Sequence, residues 1–441
     1  MIQPSCTDAV FGRRSGQPLL GPLHDYVRQS FVVTPLLGIV GGIALAVATS
    51  ELDNELSQIP EFATEFRPII EPSRKVIDAV GPAMLTFLGV VFSITLVALQ
   101  MAASQLSPRV VRLFVRSRMV KATLAVFIGT FVYTITVQYS FVTVSEEGSL
   151  QDQPFIPLVS GLIALLLTLG SVGMFVGYVH SMIRLMRLTE VIDMVTAETR
   201  RTINAVAWTE EGEGREVSGK PLQSVYYEGK PGAVRTVNVW RLVRLARKND
   251  AALRLVPKIG DFVAPGTPLL HVHGRKEIRS RTLRKALGVG PERTMYQDIA
   301  FGFRQLVDIA IRALSPGVND PTTAVQALDR IHALLSDLLD KPLGEQYHRD
   351  RDGVVRLVEP LPGWDSLIDL AFTEILLYGV TSPQVTRRMV AALIDLVEHA
   401  PEDRRATLER HLGHVREAVE AAIPDEMMRT FGLTPDRQGI G

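Results

Sequence analysis

The sequence predicts an α-helical membrane domain of four transmembrane helices followed by a cytosolic α+β region, a small β-barrel and then a helical bundle. Three observations predict it. Asp, Glu, Lys and Arg are absent from Gln29–Ser50, Ala79–Pro108, Ala122–Ser145 and the 31 residues between Asp152 and Arg184. From about Ser181 onward the chain is charged and mixed in pattern. Within that half, a period-two segment gives way to a period near 3.6 after Tyr296. A helix needs about 20 apolar residues to cross a bilayer. The expected organisation is a membrane domain over 1–180, with spans at about 31–50, 81–103, 122–144 and 156–179. A helical linker and polar loop follow over 181–220, then the barrel over 221–275 and a helical domain over 276–441.

Span one carries Gly38, Gly41 and Gly42, small residues that let helices approach closely. Span two places Thr86, Ser93, Gln100 and Ser107 at seven-residue intervals, with Gly89 and Ser104 near the same stripe. Two helical turns separate each repeat, so these side chains share one face. In hydrocarbon a glutamine amide needs a partner or water. The stripe therefore reads either as a water-lined path or as a seam against a neighbouring helix. Tyr133 and Tyr139 in span three suit interface anchoring or internal bonding. Span four contains Gly161, Gly170, Gly173 and Gly177, read as helix packing within or between subunits. Charged residues are absent at mid-depth, which argues against a proton-driven transporter. His180, at the end of span four, reads as interfacial.

The loops set an orientation. Arg109, Arg112, Arg116, Arg118 and Lys121 follow span two without an acid, and Arg184, Arg187, Arg200 and Arg201 follow span four. The opposite loops hold Glu51, Asp53, Glu55, Glu61, Glu65, Glu71 and Asp78 against Arg67, Arg74 and Lys75, then Glu146, Glu147 and Asp152. Basic loops stay cytoplasmic, so the expectation is a multi-pass bacterial inner-membrane protein with both termini cytoplasmic. The net charge of zero, 47 basic against 47 acidic residues, conceals this asymmetry. Residues 1–28 lack an apolar core and do not read as a signal peptide. Arg109 and Arg112 suit contact with lipid headgroups or a soluble anion. The single cysteine, Cys6, excludes an intramolecular disulfide and a cysteine zinc site. There is no nucleic-acid motif.

In the second half, Val225 and Tyr227, Val237 and Val239, and Leu253 and Leu255 alternate as strands do. The string Gly260-Asp-Phe-Val-Ala-Pro-Gly-Thr-Pro-Leu resembles the turn and strand of biotinyl- and lipoyl-type barrel sandwiches. Lys276 lacks the flanking motif of a carrier lysine, so a barrel without a swinging arm is expected. His271 and His273 share a strand face and read as a surface or packing pair, with no third metal ligand. After Tyr296 the stripe Ile299, Phe303, Leu306, Ala310 and Leu314 marks a helix, with Arg304, Asp308 and Arg312 on its other face. Pro316 and Gly317 end it, and Asn319 or Asp320 caps the next, with Pro321 at its first position. Ser315, Asn319, Asp320, Thr322 and Thr323 converge there as either a well-capped connection or an anion-ready helix end. Further helices are expected at Asp365–Tyr378, Pro383–His399 and Glu402–Ala422.

The strings FSITLVALQ and SQLSPR within Phe92–Arg109, FIGTFVY at Phe127–Tyr133, GDFV at Gly260–Val263 and DIAFGFRQLVDIAIRALSPGVNDPTTA at Asp298–Ala324 resemble one bacterial family. It is the predicted membrane-protein family known as domain of unknown function 2254. The resemblance implies an integral membrane protein with a cytosolic domain and carries over no catalytic residue.

These readings imply a homo-oligomeric channel or channel-like protein under cytosolic control, embedded in the lipid bilayer and passing a small ion or answering a cytosolic ligand. A membrane-anchored regulatory or scaffold protein is the alternative, and a membrane-bound enzyme the third. No catalytic residue, cofactor or metal site is expected, because the chain has no Ser–His–Asp order, phosphate-binding glycine loop or carboxylate pair.

Overall fold

The computed structural model describes residues 33–59, 68, 70–105, 118–146, 157–185, 187–209, 217 and 219–437. The chain divides into two compact units, one of long apolar helices and one from Leu188 onward.

The first unit holds α1 (Val33–Ser57), α2 (Ile70–Gln105), α3 (Arg118–Glu146) and α4 (Leu158–Leu185). All four are long and apolar enough to cross a membrane. Glycine brings α1 and α3 together. A Cβ on Gly38 would lie 2.3 Å from the Ala125 carbonyl oxygen, and one on Gly42 2.5 Å from that of Gly129. Gly38-xxx-Gly42 thus lies against Ala125-xxx-Gly129, an approach that only missing side chains allow. Pro82 sits inside α2 and removes a backbone donor. Nearby, the Gln138 amide of α3 donates to the Ile77 carbonyl at 3.4 Å and to the Asp78 carboxylate at 3.1 Å.

The second unit opens with α5 (Leu188–Ala205), then β1 (Gln223–Tyr226), β2 (Gly232–Val237), α6 (Val239–Lys248), β3 (Ala252–Leu255), β4 (Phe262–Val263) and β5 (Pro268–His273). Next come α7 (Ser280–Arg284), β6 (Leu287–Gly290), α8 (Ile299–Ala313), α9 (Pro321–Ser336), β7 (Glu345–Arg349) and β8 (Val355–Pro360). Four helices finish it: α10 (Trp364–Gly379), α11 (Pro383–His399), α12 (Glu402–Ala422) and α13 (Glu426–Leu433). The helices expected near 365–378, 383–399 and 402–422 are therefore present.

The small β-barrel expected over 221–275 is not formed. One sheet has the order β1-β5-β3-β8-β7 and the other β4-β2-β6, and neither closes on itself among the described residues. The GDFVAPGTPL string makes its turn, with Gly260 and Gly266 at φ of +96° and +89°. Its two strands then part, β4 pairing with β2 and β5 with β1 and β3. The free edge of β3 accepts β8 in parallel, Leu253 opposite Leu357. A strand from about one hundred residues downstream thus completes the sheet, and the region over 276–441 is not purely helical. The expected strand through Val239 is also wrong. The Asn238 side chain accepts from the Arg241 N–H at 2.9 Å and starts α6 there. Val225, Val234, Leu242, Leu253, Leu270, Val272 and Leu283 are fully buried in one core beneath both sheets.

Helices α8 and α9 form the core of the remainder, flanked by α5, α10 and α11. Helix α5 is fixed there by Arg200 to Asp337 at 2.6 Å and Arg330 to Asp193 at 2.8 Å. Gly302 permits its approach, since a Cβ there would meet the Thr199 hydroxyl at 2.0 Å.

Candidate functional site

The polar stripe of span two divides sharply from the polar groups that hold the bundle. Ile77, Val80, Met84, Val91 and Ala98 form the buried face of α2. Thr86, Gly89, Ser93 and Gln100 lie on its exposed side. Thr86 satisfies itself, its hydroxyl donating to the Pro82 carbonyl at 3.0 Å. Helix α2 also contains Ser104, whose side chain lies outside the described residues, as do Ser107, Arg109 and Arg112. On α4, Gly170 and Gly173 are exposed, and a Cβ added to either would meet nothing within 4 Å. Gly177 is different, because a Cβ there would lie 2.5 Å from the Met119 methyl. His180 is exposed.

Inside the bundle a separate polar cluster forms, and its centre was missed in the sequence. Asp53 is fully buried and accepts from the Val159 and Ser160 N–H groups at 2.8 and 2.9 Å. These are donors of the first turn of α4, which have no partner within their own helix. Tyr133 donates to the Ser160 carbonyl at 3.0 Å and shares a bond with the Thr49 hydroxyl at 3.1 Å. Further along, Tyr178 donates to the Val91 carbonyl at 2.9 Å and lies 2.7 Å from the Thr95 hydroxyl. Asp53 read as one more acid in an acidic loop. The available signal was spacing: Gly38, Gly42, Ala46, Thr49, Asp53 and Ser57 recur at three or four residues, one helix face.

In the unit from Leu188 onward, Arg304 bonds Asp308 at 2.7 Å and grips Glu374 of α10 with two nitrogens. Glu374, ahead of Asp308, raises the Arg304 guanidinium further above its already high range, so it stays charged. The Ser315–Thr323 turn is a closed cap. Ser315 donates to the Arg312 carbonyl at 2.7 Å, and Asp320 accepts from the Thr323 N–H at 3.1 Å and its hydroxyl at 2.5 Å. Asp320 is the cap, while Asn319 takes the left-handed conformation at φ +48° and is exposed, with Thr322 half-buried beyond. The carboxylate of Asp320 thus already stands where an external anion would bind at this helix end.

Among the described residues no group of three His, Cys, Asp or Glu could hold a metal ion. His271 Nδ1 lies 3.0 Å from the Ser224 hydroxyl. Burial, then the neighbouring His271 and Arg254, lowers the pKa of His273 below the ordinary histidine value.

Residues 28–395 match the family described as Predicted membrane protein (DUF2254). The chain belongs to this family. Similar proteins include the uncharacterized proteins Mb1321c of Mycobacterium bovis and Rv1290c of Mycobacterium tuberculosis. Each is 28% identical over 428 residues, covering 93% of this chain and 80% of the relative. No solved structure matches. Two of the strings by which this chain resembles the family meet in space. Asp298 caps α8 through the Phe301 N–H at 3.0 Å and takes both Arg293 contacts at 2.9 Å. A Cβ on Gly260 would lie 2.5 Å from the same carboxylate. The GDFV turn and the DIAFGF helix start are thus parts of one joint between sheet and helices. Burial raises the Asp298 pKa even with Arg293 opposing it.

Proposed function

We propose that the chain is a homo-oligomeric inner-membrane channel, or channel-like protein, controlled by its soluble unit, with span two along the shared axis. The observation that supports this is the place of Thr86, Ser93 and Gln100 on the exposed side of α2. A seam within the chain does not account for them, because the described bonds between helices run through other side chains, among them Thr49, Tyr133, Thr95, Tyr178, Thr130 and Ser171. An amide facing hydrocarbon lacks partners. Facing other copies of the chain around an axis, it gains water or a neighbour. Gly170 and Gly173, open on α4, suit close contact in the same assembly. Control is favoured by chain continuity: α4 ends at Leu185, and α5 begins at Leu188 and is bonded into the soluble helices. A rearrangement of α8 and α9 is thereby passed along the chain to span four.

The test is ion flux through the purified chain in liposomes. Gln100→Leu keeps similar bulk and removes the amide, creating a constriction that closes a path by dewetting. Flux falls sharply while the oligomer persists. Wild-type protein that passes no ion under any soluble-side condition overturns the reading and favours a membrane-anchored regulatory or scaffold protein.

A further inference from the structure

We infer that α6 and the adjoining segment 275–285 form a docking face for anionic phospholipid. Helix α6 reads Val-Trp-Arg-Leu-Val-Arg-Leu-Ala-Arg-Lys, and its faces separate by chemistry. Leu242 and Ala246 are buried in the core beneath the sheets. Trp240, Arg244, Arg247 and Lys248 are exposed, with Arg241 half-exposed beside them. At 100° per residue these five span about a third of the helix circumference. Trp240 is 60% exposed, and the Arg244 guanidinium stands 5.2 Å from its ring centre.

The neighbouring segment repeats the arrangement. Ile278 and Leu283 are buried, while Arg275, Lys276, Arg279, Arg281 and Lys285 are exposed. Gln223 fixes the segment to β1, its amide donating to the Ile278 carbonyl at 2.9 Å and to the Ser280 hydroxyl at 3.0 Å. It adjoins α6, since the Asn238 N–H donates to the Ala286 carbonyl at 2.8 Å. Of the acids nearby, Asp352 pairs with Arg247, Glu228 with Arg284 and Asp250 with Arg356, and Glu277 is exposed.

Charge selects an anionic partner, and the exposed indole selects a surface with an apolar layer beneath its charges. Indole rings settle at the headgroup level of bilayers, and a basic amphipathic helix lies in that interface. The soluble unit is joined directly to a transmembrane helix, so a bilayer is always within reach. An RNA or an acidic protein meets the charge and leaves the indole unexplained.

The full chain is placed in nanodiscs whose lipids carry bromine near the headgroup end of the acyl chain. Subtracting the emission of Trp240→Phe from that of wild type isolates Trp240. Its emission is quenched strongly when anionic phosphatidylglycerol is present and weakly in phosphatidylcholine alone. The variant Arg244→Gln/Lys248→Gln/Lys285→Gln loses this difference, because each cation near an anionic leaflet multiplies the local partition roughly fivefold. Its melting temperature in phosphatidylcholine matches wild type, which separates lost binding from lost folding. Equal quenching in both lipids overturns the inference. So does protection of 239–248 from hydrogen exchange by a soluble polyanion with no effect of anionic lipid, which assigns the face to RNA or an acidic protein.

Discussion

Asp53 shows how one side chain stabilises a membrane bundle. Its carboxylate accepts two of the N–H groups that α4 cannot satisfy, in a site without solvent. Asp53→Ala strands both donors and costs about 1–2 kcal/mol. Asp53→Asn retains an acceptor and costs less, and Glu55→Ala, on the exposed side of the same helix, is neutral. Thermal unfolding in detergent ranks the three, and an Asp53→Ala variant as stable as wild type contradicts the cap. Glycine supplies a second contrast. Gly42→Ala drives a methyl to 2.5 Å from the Gly129 carbonyl, an overpacking worth about 1–3 kcal/mol. Gly41→Ala meets nothing within 4 Å and leaves stability unchanged. The glycines were legible in the sequence as packing residues, but which glycine meets which helix was not. That depends on the register between α1 and α3, which no local pattern encodes.

At the scale of elements, helices were easier to read than sheets. The periodicity of 383–399 and 402–422 is complete within each segment, so local sequence defines those helices. Strand β3 is four residues long, and its partner β8 follows about one hundred residues later. Alternation marks a strand and says nothing of its distant neighbour, which is why a closed barrel was expected where an open sheet forms. In the same way the Ser315–Thr323 turn was legible as a cap, but the choice of Asp320 over Asn319 and its second bond, from the Thr323 hydroxyl, were not. Interfaces between distant elements also carry titrating groups. His332 of α9 lies beside α11, its Nδ1 accepting from Arg388 at 3.0 Å. Burial and then Arg388 lower its pKa, with Asp395 and Asp329 opposing and His399 assisting. The folded value lies below the unfolded one, so unfolded chain takes up the proton first as pH falls. This contribution to stability is present above about pH 6.5 and is lost progressively below it. Wild-type protein therefore loses thermal stability on acidification more steeply than His332→Gln, as unfolding scans on either side of that pH measure. Identical pH dependence removes His332 from the account.

For the whole molecule, the charge bias of the loops predicts a cytoplasmic soluble unit. Cysteine scanning in a Cys6→Ser background checks it: an impermeant reagent added outside labels Glu147→Cys and misses Arg116→Cys, and the reverse pattern contradicts the topology. The four apolar helices were legible because lipid imposes one strong rule, about twenty apolar residues between charged ends. Function was less legible because Thr86, Ser93 and Gln100 lie exposed on α2 and gain meaning only from what covers them, which no pattern within the segment encodes. The most direct measurement is the reactivity of Gln100→Cys toward a hydrophilic thiol reagent, with Leu169→Cys of span four as the dry comparison. An aqueous axis along span two predicts fast modification at 100, with loss of ion flux, and none at 169. A cysteine at 100 that stays as unreactive as the one at 169, in an oligomer under flux conditions, contradicts the channel.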